Sequence, residues 1–129
     1  MTAFVDSDAL IDCLRGNPAA REWVSGQRAG DLLVPGIVAL ELIAGCRNRA
    51  EQGDVLEFLA QFPIVWPEPP EGAAALGLYV KHGLSGGIGV DDCIVAAMAV
   101  HRGVRLLTFN LRHYRVVAGL DVAEPYARS

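Results

Sequence analysis

The stretch that decides the fold is FVDSDALID, residues 4–12 of a chain of 129 residues. Its first part continues an apolar run that begins at Ala3, which predicts a short buried strand. From Ser7 onward the apolar residues are spaced for one face of a helix. Asp6 stands between the two patterns. The stretch therefore predicts a strand that ends in an aspartate and leads directly into a helix.

The same alternation of short strands and helices continues through the rest of the chain. Further strands are predicted at residues 32–34, 64–66, 105–108 and 120–122. Further helices are predicted at residues 18–27, 37–46, 54–62, 71–81 and 91–103, and Asp54 is expected to cap the helix over residues 54–62. Alternating strands and helices predict a parallel sheet covered on both faces. We therefore expect an α/β protein, an α/β/α sandwich with a short central parallel sheet, formed as a single domain by residues 1–129.

Composition and sequence pattern together exclude several classes of protein. Hydrophobic residues make up 52% of the chain, enough for a sizeable core, and the net charge of -4 argues against binding nucleic acid by bulk charge alone. The sequence pattern predicts neither a membrane span nor a signal peptide, so we expect a cytoplasmic protein without membrane contact. Cys13, Cys46 and Cys93 lie in apolar helical segments without a Cys-x-x-Cys pair, which predicts reduced, buried thiols.

Glu41 is the most informative acidic residue. It lies in the middle of the apolar segment IVALELIAG, residues 37–45, and its helical neighbours three and four positions away are apolar. A buried carboxylate without a partner is either very costly or neutralised, so Glu41 needs a partner, and a metal ion is one solution. A glutamate at the rim of a partly exposed helix is the alternative.

Three aspartates strengthen the metal interpretation. Asp6 follows the first strand, at the edge where parallel sheets form their sites, although it could equally cap the next helix. Asp91 and Asp92 open an almost wholly apolar helix, and two adjacent aspartates are more than a cap requires. Carboxylates gathered together repel one another unless a cation joins them, and an all-oxygen site suits Mg²⁺ or Mn²⁺. Such a site can activate water for cleavage of a phosphodiester.

Positive charge is concentrated around the strand predicted at residues 105–108. The cluster consists of His101, Arg102, Arg105, Arg112, His113 and Arg115. Local basic density in an acidic chain is typical of contact with a phosphate backbone. The favourable position of cations at a helix C-terminus is an adequate alternative for His101 and Arg102, but it explains Arg112 and Arg115 less well.

Four segments resemble, in order, the motifs of VapC-like PIN-domain proteins. Residues 4–12 resemble the opening of that family, and the segment around Glu41 resembles its second acidic motif. DCIVAA, residues 92–97, resembles the third motif, and LLTFN, residues 106–110, resembles the motif after the fourth strand. The resemblance extends to about residue 122. It implies that Asp92, rather than Asp91, is the metal-binding carboxylate.

The resemblance implies an endoribonuclease toxin of a type II toxin–antitoxin (VapBC) system, which hydrolyses RNA phosphodiester bonds with Mg²⁺ or Mn²⁺. Asp6, Glu41 and Asp92 would hold the metal, and Thr108 and Asn110 would orient water or a phosphate oxygen. The resemblance also implies a small VapB-like antitoxin whose C-terminal segment covers the site, and a homodimer or a higher toxin–antitoxin assembly.

One position departs from the family pattern. His113 stands where many PIN domains carry a fourth carboxylate, which implies a three-carboxylate site and makes a second metal ion doubtful. In such a site His113, together with Arg112 and Arg115, would contact water or the RNA.

Three other classes fit parts of the sequence. A signalling receiver domain matches the length, but Asp54 lies in a predicted helix rather than at a strand end, and Lys81 precedes the aspartate pair. A haloacid-dehalogenase-like phosphatase would explain Asp6 and Asp8, but its acidic pair should end a strand, and here the pair opens a helix. A PIN-like protein without catalysis would not need to retain three acidic residues.

Overall fold

Five parallel strands form the central sheet. In the computed structural model, which describes residues 1–128, the strands are β1 (Ala3–Val5), β2 (Leu32–Pro35), β3 (Ile64–Val65), β4 (Arg105–Leu107) and β5 (Val122–Ala123). Their order across the sheet is β3-β2-β1-β4-β5. β1 lies at the centre, where Phe4 pairs with Leu33 of β2 and Leu106 of β4.

Seven helices connect the strands. They are α1 (Ser7–Leu14), α2 (Pro18–Ser25), α3 (Gly36–Ala44), α4 (Arg49–Leu59), α5 (Pro69–His82), α6 (Val90–Arg102) and α7 (Leu111–Tyr114). α1 contacts both α2 and α3, and α5 packs along α6. The predicted α/β/α sandwich with a short parallel sheet is confirmed.

The strand order determines where a site can form. From β1 the chain proceeds to β2 and β3 on one side, then crosses to β4 and β5 on the other side of β1. The connections after β1 and after β4 therefore leave in opposite directions and open a crevice at the carboxyl ends of these two strands. Asp6 follows β1 and Thr108 follows β4, so both residues lie at the mouth of this crevice.

The core is centred on β1 and α6. Phe4 and Val5 are fully buried, and all five residues of α6 from Val95 to Ala99 are buried as well. Three of those five residues are alanines, which allow the helix to lie close to the sheet. This close packing places the first turn of α6, with its two aspartates, at the same edge of the sheet as Asp6.

Several helix starts differ from the prediction, including that of α5, which begins at Pro69 rather than at residue 71. α4 begins at Arg49 rather than at residue 54, because Asn48 accepts a hydrogen bond from the Glu51 N–H at 2.9 Å and caps the helix. Asp54 lies inside the helix, so its expected role as a cap was wrong. α6 begins at Val90 after Gly89, so neither of its aspartates is the cap residue, although the Asp92 side chain accepts a hydrogen bond from the Gly89 N–H.

The structure also bears on the predicted burial of the cysteines and on the predicted absence of a membrane span. Cys13 and Cys93 are buried free thiols, whereas Cys46 is only half-buried. Among the helices of residues 1–128, none combines the length and the apolar character that crossing a bilayer requires.

Candidate active site

A hydrogen bond links Asp6, which follows β1, with Thr108, which follows β4. The Thr108 hydroxyl donates to Asp6 Oδ2 at 2.9 Å, and both residues are buried. Asp6 Oδ1 accepts from the Ser7 N–H at 2.8 Å at the start of α1. One carboxylate oxygen therefore caps the helix while the other faces the crevice, so the two roles considered for Asp6 from sequence are compatible.

Tyr114 connects Asp6 with Asp92. Its hydroxyl lies 3.1 Å from Asp6 Oδ2 and 3.1 Å from Asp92 Oδ1, and the residue is 1% exposed. Burial and the charges of the two aspartates raise the pKa of Tyr114, so the hydroxyl keeps its proton. Tyr114 is therefore a donor held between two acidic groups. No role for Tyr114 is predicted from the sequence, where its only signal is a tyrosine four residues after Asn110.

The first turn of α6 fixes Asp92. Asp92 Oδ2 accepts from the Gly89 N–H at 3.2 Å, so the side chain folds back over the start of its own helix. His113 lies beside the same oxygen, with 3.9 Å between His113 Nδ1 and Asp92 Oδ2. The positive end of the helix dipole favours negative charge at this position.

Glu41 reaches the same crevice from α3. Burial raises the pKa of Glu41 to about 7, and the neighbouring charges of Asp91, Asp6 and Asp92 add to the increase. Asp91, next to Asp92 on α6, is thus a fourth carboxyl group near the site. Burial, and then the charge of Asp8, likewise raise the pKa of Asp6.

The loop after β4 is built around Thr108 and Asp8. The Asn110 N–H donates to the Thr108 hydroxyl oxygen at 3.0 Å. The Phe109 N–H donates to Asp8 Oδ2 at 2.9 Å, and the same oxygen lies 3.3 Å from Thr108 Oγ1. Asp8 thus acts on Asp6 through the loop, whereas the side chain of Asn110 is exposed at the rim.

The basic cluster is divided in space. Arg112 on α7 and Arg115 directly after it are exposed, and they flank His113 and Tyr114 in sequence. Arg102 instead binds the buried Glu71 of α5, with 2.7 Å between Arg102 Nε and Glu71 Oε2. The nearness of these residues in sequence therefore does not produce one continuous basic surface.

The donor set has the chemistry of a site for a hard divalent cation. Four carboxyl groups contribute negative charge: those of Asp6, Asp91 and Asp92 help to raise the pKa of Glu41, and that of Asp92 helps to raise the pKa of Asp6. Within residues 1–128, however, no three His, Cys, Asp or Glu side chains are already spaced as direct ligands of a metal ion. Because like charges separate when no cation balances them, side chains would have to move inward on binding.

A family model described as PIN domain matches residues 3–119. The chain belongs to the PIN domain family. This result confirms the resemblance found from the sequence, and the comparisons support neither the receiver domain nor the phosphatase.

Known proteins with similar sequences carry the name ribonuclease VapC. Ribonuclease VapC10 of Mycobacterium tuberculosis is 36% identical over 112 residues, which are 85% of this chain and 84% of that protein. Ribonuclease VapC19 of the same organism is 29% identical over 127 residues, 95% and 98% of the two chains. The chain therefore resembles these PIN-domain ribonucleases over nearly their whole length.

Solved structures share the fold at lower identity. The DNA-bound VapBC from Salmonella typhimurium has a TM-score of 0.80 at 18% identity, covering 97% of this PIN-domain chain and 99% of its own. FitAcB from Neisseria gonorrhoeae has a TM-score of 0.77 at 20% identity, covering 96% and 98%. At these identities the likeness concerns the fold alone.

The Tyr114 hydroxyl offers a first test of this site. Tyr114→Phe removes the donor between Asp6 and Asp92 but keeps the buried ring, so we expect kcat for RNA cleavage to fall about tenfold, the effect of one hydrogen bond to a charged group. Steady-state cleavage of a labelled RNA measures the change. Tyr79→Phe, on the outer face of α5, is the matched control and should cleave like the wild type. Equal kcat in all three proteins would rule out a role for the Tyr114 hydroxyl.

Proposed function

We propose that this PIN-domain protein is an endoribonuclease toxin of a type II toxin–antitoxin system, which hydrolyses RNA phosphodiester bonds with Mg²⁺ or Mn²⁺. The observation that carries the proposal is the convergence of Asp6, Glu41 and Asp92 at the crevice between β1 and β4. Three acidic residues from separate parts of the chain meet there, in a family whose similar members are named ribonuclease VapC.

Asp6, Glu41 and Asp92 would hold the metal, and Asp91 stands beside Glu41 as an additional carboxyl group. When bound, the metal supplies an activated water and stabilises negative charge at the phosphorus. Thr108 fixes the orientation of the Asp6 carboxylate through its 2.9 Å hydrogen bond. Tyr114 keeps Asp6 and Asp92 together despite their like charges.

The substrate side of the site lies along α7. Arg112 and Arg115 are exposed in α7 and directly after it, and we propose that their guanidinium groups contact the RNA backbone. His113, next to Asp92, and the exposed Asn110 at the rim would contact water or a phosphate oxygen. These contacts would favour binding of a polyanion such as RNA, but they would not distinguish one RNA base from another.

A groove beside the site is the surface where we place a protein partner. A groove between α1, α3 and α4 runs up to Glu41 and is lined in part by Leu14, Arg15, Arg47 and Val55. We place the C-terminal segment of a small VapB-like antitoxin in this groove, where it would cover Glu41. We place the protein in the cytoplasm, together with its RNA substrate.

A second copy of the chain is the proposed partner for an apolar surface on α3, α4 and β3. Leu40, Leu56, Ile64 and Trp66 are each at least 40% exposed and line one shallow depression. An exposed apolar surface of this kind favours association. The face would be covered in a homodimer, which could in turn belong to a larger toxin–antitoxin assembly.

Metal removal tests the proposed chemistry directly. The protein, freed of any bound partner by unfolding and refolding, is incubated with a mixed RNA pool and EDTA, and then with excess Mg²⁺ or Mn²⁺. We expect cleavage to disappear with EDTA and to return with either ion, because the carboxylates alone cannot activate water. Ca²⁺ serves as the control for a divalent ion of different size and geometry. Cleavage that persists in EDTA would contradict the proposal.

A further inference from the structure

The C-terminal strap, residues 124–128, is fastened to α1 through one carboxylate. Tyr126 Oη donates to Asp12 Oδ2 at 2.6 Å. Arg128 Nε and Nη2 donate to Asp12 Oδ2 and Oδ1 at 3.1 Å and 3.0 Å. The Asp12 side chain is 12% exposed and that of Arg128 is 43% exposed, so this bidentate pair lies at the protein surface with its carboxylate covered. The strap is therefore held at a defined place on α1.

The strap encloses the side chain of Phe109. The Tyr126 ring meets the Phe109 ring edge-on, with 5.0 Å between the ring centroids. The Arg128 guanidinium lies over the Phe109 ring, with Cζ 4.4 Å from the centroid. Trp23 of α2 packs on Tyr126, with the centroids 5.6 Å apart. Phe109 is thus packed between two residues that the same aspartate holds.

Phe109 belongs to the loop that reaches Asp6. Its N–H donates to Asp8 at 2.9 Å, and its neighbour Thr108 donates to Asp6 at 2.9 Å. A shift of the Phe109 backbone would therefore move the hydrogen-bonded partners of two acidic residues at once.

We propose that the C-terminal strap holds the loop after β4 in register with the active site, and that Tyr126 and Arg128 are positioning residues for Asp6. They act through Phe109: their contacts fix its ring, its N–H fixes Asp8, and Thr108 then orients the Asp6 carboxylate. The consequence for catalysis rests on the proposed nuclease function, whereas the hold on the loop does not.

The test compares two Arg–Asp pairs of the full chain. Arg128→Gln breaks the pair with Asp12, Arg128→Lys keeps the charge without the forked geometry, and Asp121→Asn breaks the Arg105–Asp121 pair, which also has a 3.0 Å contact. Amide hydrogen exchange of Phe109, followed by NMR in metal-free protein, measures the hold on the loop. Steady-state RNA cleavage gives kcat and KM separately.

In Arg128→Gln we expect exchange at Phe109 to accelerate about tenfold and kcat to fall by a similar factor, the size of one lost hydrogen bond to a charged group. KM should stay within about twofold, because substrate binding is not the affected step. Arg128→Lys should fall between Arg128→Gln and the wild type, and Asp121→Asn should match the wild type in both measurements.

Unchanged exchange at Phe109 in Arg128→Gln would overturn the inference. So would accelerated exchange with wild-type kcat, because the strap would then hold the loop without serving the site. If the wild type cleaves no RNA, the proposed function fails, but exchange at Phe109 still decides whether the strap holds the loop.

Discussion

Asp92→Asn will lower the rate of RNA cleavage on the order of 10²- to 10³-fold, the effect of removing one preorganised electrostatic group from an active site. The amide keeps the shape of the side chain and can still pair with Tyr114, but it removes the negative charge at the crevice between β1 and β4. Cleavage of a mixed RNA pool in Mg²⁺, followed on a gel over time, measures the loss.

Asp91→Asn is the matched comparison, because it changes the adjacent residue by the same atoms. Asp91 lies beside Glu41, whereas Asp92 is fixed by Tyr114 and Gly89. We expect Asp91→Asn to retain most of the activity. The reverse result, with Asp91→Asn inactive and Asp92→Asn active, would move the metal-binding role from Asp92 to Asp91.

Arg102→Met will have the largest expected effect on stability, a loss of roughly 3 kcal/mol in the free energy of unfolding. The Glu71 side chain is 1% exposed and accepts two hydrogen bonds from Arg102, each of 2.7 Å. Without the guanidinium, Glu71 remains as a buried charge with no cationic partner. Urea denaturation at pH 7 measures the difference in the free energy of unfolding. The dependence of that free energy on urea concentration is measured for each protein separately.

The double variant Glu71→Gln with Arg102→Met separates the buried charge from the packing. A neutral glutamine can still accept from the Glu68 N–H, as Glu71 Oε1 does at 2.7 Å, so the start of α5 keeps its capping bond. We expect the double variant to be more stable than Arg102→Met alone. A double variant as unstable as the single variant would attribute the loss to the packing of Arg102 instead.

The same pair predicts a pH dependence. Hydrogen bonds from Arg102 hold the pKa of Glu71 below its usual range, so the stability it contributes is complete above the unfolded value of about 4.3. That contribution is lost as the pH falls through the lower folded value. The stability difference between the wild type and Arg102→Met should therefore narrow below about pH 4.3. A constant difference down to pH 3 would contradict this assignment.

The sequence predicted the site residues that are acidic but stand in apolar segments. Glu41 stands out because an acidic residue interrupts an apolar helix, and Asp6 because it ends a buried strand. Both patterns are local, and the alternation of strands and helices then predicts a parallel sheet but not the order of its strands. The family match confirms the fold that these patterns predict, while the metal-binding roles remain predictions.

The residues that were missed depend on contacts distant in sequence. Tyr114 is an ordinary apolar position of a short helix until that helix folds back on β1 and β4, which places its hydroxyl between two acidic groups. Arg102 belongs to a basic cluster in sequence, but its partner Glu71 lies 31 positions earlier. Asp54 was chosen as a cap because aspartate favours that place, whereas Asn48 caps the helix by accepting a hydrogen bond from the Glu51 N–H.

The distance along the chain between the two halves of the site has a consequence for synthesis. Tyr114, the partner of Asp6, is synthesised 108 positions after it, and the residues of β4 are made only shortly before Tyr114. At a translation rate of roughly 5–20 residues per second, this interval lasts about 5–20 s. Throughout this time the central strand has no neighbour on one side and the crevice does not exist. The active site therefore cannot form during this interval, because Asp6 and Tyr114 can meet only after the residues between them have been made.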